Sequence, residues 1–169
     1  MTPSAPKEAP PPSPEALAAA LGRIPSGVFI LTAGHEDRRT GLLVRWVQQT
    51  CFEPPMVSVC VAKGRPIMPI ISESRQFGLC QLGEDDRTLA RKFEKDPEHG
   101  DDPFLGFDLA PSALPNLPLL RSALTALECE LACHMDVEGD HDLLVGRVRN
   151  ASAREGAPRV RVRENGLAY

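Results

Sequence analysis

The sequence predicts a mainly β fold, a closed or nearly closed barrel with two or three short inserted helices. Three observations carry this. Short runs rich in Val, Ile and Leu, separated by turn residues, fill Val28 to Ala62. Leu127, Cys129, Leu131, Cys133, Met135 and Val137 then occupy every second position, the period of a strand. Regular strand–helix alternation and a glycine-rich phosphate loop after the first strand are both missing, which sets aside a doubly wound α/β fold. A sheet of this size must bury one face and hide its edges, and a barrel does both. The chain has 169 residues, enough for one domain with a core of its own. Its 42% hydrophobic and 25% charged residues are ordinary for a globular protein and exclude a collagenous, coiled-coil or wholly disordered chain.

The elements follow in order. Pro3, Pro6, Pro10, Pro11, Pro12 and Pro14 make residues 1–14 a solvated, extended tail or a ligand for a proline-recognising module, with the domain proper at 15–169. Ser13, Pro14 and Glu15 are a cap, a first-turn proline and an early acid, so a short helix runs from Pro14 to about Leu21, ended by Gly22. Val28–Thr32 is a strand, Gly34–Arg39 a turn, Leu42–Phe52 a second strand, and Met56–Ala62 a third after the break at Pro54-Pro55. Pro69–Ser74 is a helix of one or two turns, and Phe77–Leu82 a strand. Asp85–Lys95 has Leu89, Ala90 and Phe93 at helical spacing, with acids first and bases last as the helix dipole prefers. Residues 96–118 hold five prolines and keep no period, a long loop of the kind that often serves as a lid or partner-binding segment. After the alternating strand, Gly139-Asp140 turns the chain, Leu143–Val148 returns, and Val160 and Val162 alternate with Arg159, Arg161 and Arg163 in a final strand.

A net charge of −4 and a pI of about 5.6 give no general attraction to nucleic acid or to an anionic membrane, so partners are recognised locally. The five cysteines are odd in number and spread through apolar segments, which favours a reducing, cytoplasmic setting over a disulfide scaffold. No stretch approaches the length of a membrane span.

Motif chemistry is sparse. Cys129 and Cys133 fall on the apolar face of their strand and His134 on the other, with no second ligand pair, so no metal is expected. Cys60 and Cys80 read as small core residues. Nucleophile elbow, Walker loop and HExxH are all absent, leaving hydrolase and phosphotransferase readings unsupported. The acidic groups at 84–86 and 98–102 read as solvated helix starts and loops, and the three arginines at 159, 161 and 163 as one exposed strand face. Two stretches remain. Gly41 to Pro55 sets Arg45, Trp46, Gln48, Gln49 and Phe52 close together, aromatic surface and amide donors suited to a planar ligand or to a core strand with exposed amides. His141 stands in a Gly-Asp-His turn between two strands.

With these residues the chain resembles the flavin reductase-like, FMN-binding split-barrel family. The carriers are Pro25-Ser26-Gly27-Val28; Trp46-Val47-Gln48-Gln49 with Phe52-Glu53-Pro54-Pro55; Val57 to Lys63; Ile71-Ser72-Glu73-Ser74 with Phe77; Leu89-Ala90 with Phe93; Leu127-Glu128-Cys129; Gly139-Asp140-His141; Gly146 with Val148; and Gly166 with Tyr169. The resemblance implies a homodimer of six- or seven-stranded Greek-key barrels holding FMN, sometimes FAD. It implies hydride transfer from NADH or NADPH to the flavin, for a monooxygenase or another redox protein.

Carried over by position, Arg45, Trp46, Val47, Gln48, Gln49, Cys51 and Phe52 line the isoalloxazine edge. Lys63, Arg65, Ser72 and Ser74 meet the ribityl phosphate, and His141 is the catalytic candidate, positioning the nicotinamide. The family's Asn-Gly-x-Thr-x-Ser pattern is replaced by Thr40-Gly41-Leu42-Leu43-Val44-Arg45, and a serine by Cys51. Arg45 therefore reads either as an added phosphate ligand or as a side chain filling the flavin site. The second reading makes the protein a non-enzymatic binding module. A third makes it a flavoprotein electron carrier reduced by a protein donor.

Overall fold

A computed structural model describes residues 11–98 and 100–167. Most of the proline tail and Tyr169 lie outside the described residues. The chain forms two compact units, one of residues 26–160 and one made by the two chain ends.

The larger unit holds seven antiparallel strands: β1 Phe29–His35, β2 Arg38–Val44, β3 Val47–Cys51, β4 Met56–Ala62, β5 Gln76–Gln81, β6 Thr125–Asp136 and β7 His141–Ala153. Their order across the sheet is β2-β1-β5-β6-β7-β4-β3. The two edge strands, β2 and β3, are consecutive in the chain and joined only by Arg45 and Trp46. A flat sheet would hold these edges the full width of seven strands apart. The two-residue joint therefore requires the sheet to roll into a barrel with its split at Arg45–Trp46. This corrects the single strand expected over Leu42–Phe52. Every residue from Leu42 to Val47 suits an extended chain, and barrel closure, not a local breaker, divides them.

Alternating residues fill the barrel. Leu31, Leu42, Val44, Val59, Phe77, Leu79, Cys129, Leu131 and Leu144 are buried there, together with Ile67, Ile70 and Ile71 of α2, Ile67–Ser74. Gly146 makes the interior possible: a Cβ on it would lie 2.3 Å from Phe77 Cζ. The opposite faces of β1 and β5 are also covered. Ile30 and Cys80 pack with Leu89 of α3, Arg87–Lys92, and with Phe93, Phe104, Leu117, Leu119 and Leu120. The proline-rich segment from 96 is thus a second layer rather than a free loop. It contains a two-residue ladder, Leu109–Ala110 with Leu119–Leu120. Glu128 pins it: the carboxylate, 2% exposed, accepts hydrogen bonds from Ser112 Oγ (2.6 Å), Ala113 N (2.8 Å), Leu114 N (3.1 Å) and Asn150 Nδ2 (2.8 Å).

The apolar alternation of β6 is interrupted. Leu131 pairs with Gly146 but Cys133 with Val145, leaving Ala132 as an extra residue. Cys133 and Met135 therefore share the face of Val145 and Leu143, not that of Cys129 and Leu131. Cys60, opposite Leu143, lies on that same outer face and is half-buried, so it is not the core residue expected. β7 continues to Ala153, beyond the Val148 expected, because residues 151–153 pair with Thr125–Leu127.

In the smaller unit α1 spans Pro14–Gly22, capped by Ser13 Oγ, which accepts from Ala16 N at 3.2 Å. Gly166 N donates to Ala18 O (2.7 Å) and Arg163 N to Gly22 O (2.9 Å). The final strand expected over residues 159–163 is reduced to Val160–Arg161.

Candidate functional site

The split of the barrel is where the sequence-predicted residues begin to gather. Trp46 O accepts a hydrogen bond from Cys60 N (3.0 Å), which ties the joint to β4. Its ring lies 4.7 Å from that of His141, tilted by 47°. His141 is buried and pairs in register with Ala62. Its Nδ1 is 2.8 Å from Asp140 Oδ1, and this contact is the main reason the Asp140 carboxyl is held below the ordinary carboxylate range. Asp140 O accepts from Lys63 N (3.0 Å), while Lys63 Nζ donates to Asp136 Oδ1 at 2.6 Å. That bond raises the Lys63 ammonium and lowers the Asp136 carboxyl. His134 Nε2 sits 3.3 Å from Asp142 Oδ2 on the next strand. Trp46, Lys63 and His141 are thus one cluster, joined by Asp140 of the Gly-Asp-His turn and by two carboxylates, Asp136 and Asp142, that sequence reasoning did not attach to it.

Val47, Gln48 and Gln49 line a cavity of about 370 Å³ together with Phe29, Val57 and Leu127. Among the described residues, no side chain lining it is charged. Gln49 Nε2 donates to Cys51 O (3.2 Å), and Gln48 O accepts from Ser58 Oγ (3.3 Å). Cys51 is exposed and Phe52 is 89% exposed, both outside this lining.

Arg65, Ser72 and Ser74 fall elsewhere, around α2. Ser74 Oγ bonds Gln76 O (3.2 Å), and Ser72 is exposed. Arg65 Nη1 donates to Asp96 Oδ2 at 2.7 Å. Next to Arg65 opens a cleft of about 790 Å³, lined by Arg38, Arg39 and Thr40, by Pro66, Pro69 and Ile70, and by Pro97, Glu98, Gly100, Asp101 and Asp102. Arg39 grips Asp102 with two bonds, Nε to Oδ1 at 3.0 Å and Nη2 to Oδ2 at 2.5 Å, raising its own pKa and lowering that of Asp102. Arg45 is 10% exposed and turned toward Glu94, with Nη2 3.8 Å from Oε1. Arg39 was missed from sequence because a Glu-Asp-Arg-Arg hairpin reads as a solvated turn. Only its pairing partner, more than sixty positions along the chain, gives it a place in the cleft.

Among the described residues, no three His, Cys, Asp or Glu side chains are grouped to hold a metal ion. Burial pushes the Cys80 thiol up to about 11 and the Cys129 thiol up to about 12, so neither supplies a thiolate at neutral pH.

Comparisons with known proteins agree with this architecture. A family model described as the flavin reductase like domain matches residues 21–165. Diflavin flavoprotein A 1 of Synechocystis sp. is 35% identical over 156 residues, covering 90% of this chain and 27% of that protein. The chain spans about a quarter of the length of the diflavin flavoproteins it matches. FMN reductase (NADH) SmoA of Agrobacterium fabrum is 30% identical over 139 residues, covering 82% of this chain and 76% of that one. Among solved structures, the NADH:FAD oxidoreductase SgcE6 of Streptomyces globisporus superposes with a TM-score of 0.80 at 24% identity, covering 95% of each chain. The nitrilotriacetate monooxygenase component B homologue of Mycobacterium thermoresistibile gives 0.76 at 27% identity, covering 86% of this chain and 80% of that one.

Proposed function

Because the chain belongs to the flavin reductase-like domain family, we propose that it is an oxidoreductase that binds FMN or FAD and passes hydride to it from NADH or NADPH. The observation that carries this reading is the alignment, over most of both chains, with an FMN reductase (NADH). The reading takes residues 15–169 as one flavin-binding domain behind a tail, acting as a cytoplasmic homodimer that serves a monooxygenase or another redox protein. Among the described residues no helix is long and apolar enough to cross a membrane.

The residues present suit a flavin. An uncharged cavity with amide groups from Gln48 and Gln49 accepts a flat, largely apolar ring system with a hydrogen-bonding edge. When bound, the flavin supplies the two-electron chemistry, so no protein nucleophile is required. The backbone from Arg45 to Phe52 then orients the ring. Lys63, Arg65, Ser72 and Ser74 hold the phosphate, and His141, fixed by Asp140 and by Trp46, sets the nicotinamide against the ring.

The test is an absorption spectrum of the purified chain, a titration with FMN and with FAD, and addition of NADH or NADPH. A saturable flavin spectrum bleached by one nicotinamide is the expected result. Failure of either nicotinamide to bleach it, at saturating flavin, overturns the reductase. A second reading, an electron carrier reduced by a protein donor, draws on the 35% identity with a diflavin flavoprotein. It expects tight flavin uptake and no reduction by nicotinamide.

A further inference from the structure

Three arginines face carboxylates from one stretch of chain: Arg39, in the lining of the large cleft, is gripped in a two-pronged bond by Asp102, Arg65, beside Pro66 of that lining, bonds Asp96 at 2.7 Å, and Arg45 lies 3.8 Å from Glu94. Arg38, also in the lining, pairs instead with Glu73. Asp102 is itself fixed by Phe104 N, which donates to Oδ1 at 3.0 Å. Asp37, Glu98 and Asp101 also line the cleft. As it stands, then, a cleft large enough for a nucleotide shows an incoming anion mostly carboxylates.

We propose that Arg39 and Arg65 form a phosphate-binding pair for this cleft and that Asp102 and Asp96 occupy it as built-in competitors, displaced when a phosphate-bearing ligand enters. The guanidinium fork takes a carboxylate and a phosphate in the same planar, two-bond geometry, so an Asp on Arg39 is a chemical stand-in for two phosphate oxygens. Both pairs are only half-buried, with side-chain exposures of 42% and 34% for Arg39 and Asp102, and 36% and 31% for Arg65 and Asp96. Pairs of this kind are weak enough to exchange, and a dianion offers each arginine more charge than a single carboxylate does. The ligand's apparent affinity falls by the fraction of molecules in which the carboxylates are engaged, which makes the cleft a threshold device rather than an open anion trap. The nature of the ligand, a flavin or nicotinamide nucleotide, rests on the function proposed above; the competition does not.

The test uses the full chain and two double variants, Asp96→Asn with Asp102→Asn and Arg39→Gln with Arg65→Gln. Calorimetric titration with inorganic pyrophosphate reads the pair directly. Titration with FMN against riboflavin reads the contribution of the phosphate to flavin binding. Removing the carboxylates is expected to tighten pyrophosphate by roughly fivefold per pair released and to widen the preference for FMN over riboflavin. Removing the arginines is expected to abolish pyrophosphate binding and to narrow the preference for FMN over riboflavin. Equal pyrophosphate affinity in the parent and the Asn variant, or its survival in the Gln variant, overturns the proposal. If pyrophosphate follows the expected pattern while no form of the chain takes up flavin, the anion pair stands and the flavin reading falls. Should the double Asn variant not fold, Asp96→Asn and Asp102→Asn singly each give part of the gain, and a gain from neither overturns the proposal.

Discussion

The ring of His141 lies 4.7 Å from the ring of Trp46, at the joint where the two edges of the barrel meet. One residue comes from the link between β2 and β3, the other from the first position of β7, so the contact fixes the turn at 137–140 against the split.

His141→Ala should therefore act on hydride transfer more than on flavin uptake. A positioning group of this kind is worth roughly tenfold to a hundredfold in kcat/KM for the nicotinamide. Stopped-flow reduction alongside a flavin titration separates the two. A loss confined to flavin affinity would remove His141 from the nicotinamide side.

Arg45→Ser distinguishes the two readings of that arginine. Its nearly buried side chain already engages a carboxylate, Glu94. We expect FMN affinity to fall by about tenfold, the size of one charge-assisted hydrogen bond, with riboflavin affinity little changed. A gain in affinity for both flavins would mean that the side chain fills the ring site.

Glu128→Gln should destabilise the protein by about 1–3 kcal/mol, seen as a drop of several degrees in Tm, because it weakens four hydrogen bonds at a buried site. Burial alone would raise the Glu128 carboxyl, but bonds from Ser112, Leu114 N–H, Asn150 and Ala113 N–H outweigh it and the net direction is downward. A folded-state value below the unfolded one stabilises above the unfolded value, near 4.5, and that stabilisation is lost as pH falls through the folded value. The gap between parent and variant in thermal melts should accordingly shrink below about pH 4. A gap independent of pH would contradict this.

Gly146→Ala should cost about 1–3 kcal/mol or more, because its Cβ would meet Phe77 Cζ at 2.3 Å and Cys129 Cβ at 2.8 Å. Adding Phe77→Leu should recover part of the loss. Denaturant melts of both single variants and the double give the coupling. Strict additivity would mean that the clash is relieved elsewhere.

A thiol reagent at neutral pH should modify exposed Cys51 first and leave buried Cys80 and Cys129 untouched until the protein unfolds. Mass spectrometry of the partly labelled protein shows the order.

Much of this architecture was legible in the chain, for reasons that differ by element. Met56–Ala62 was readable to the residue because prolines precede it, Lys63-Gly64 follow it, and its alternation is clean. The mainly β class and the seven-stranded sheet agree with the family resemblance. The division of Leu42–Phe52 was not readable, since Val44, Arg45, Trp46 and Val47 carry no break of their own. Nor was the end of β7, where Asn150, Ala151 and Ser152 are strand residues only because β6 lies beside them. Glu128 alternates with apolar neighbours and so reads as solvent-facing. Only a segment that starts sixteen positions earlier supplies the groups that bury it. Of the residues expected at the site, Trp46, Lys63 and His141 come together, Val47 to Gln49 line their own cavity, and Arg65 bonds Asp96. The acid partners of the arginines lie too far along the chain to be paired by pattern.

The link of Arg45 and Trp46 also sets the tolerance of the chain to changes in length. Removing or adding one residue there leaves no slack to absorb the error: one rim of the barrel must slide by a single position. A slide of one position along β2 or β3 exchanges inward for outward side chains, so that Thr40 and Gly41, or the amides of Gln48 and Gln49, trade faces of the wall. The seam is thus the part of this sequence where spelling matters less than counting.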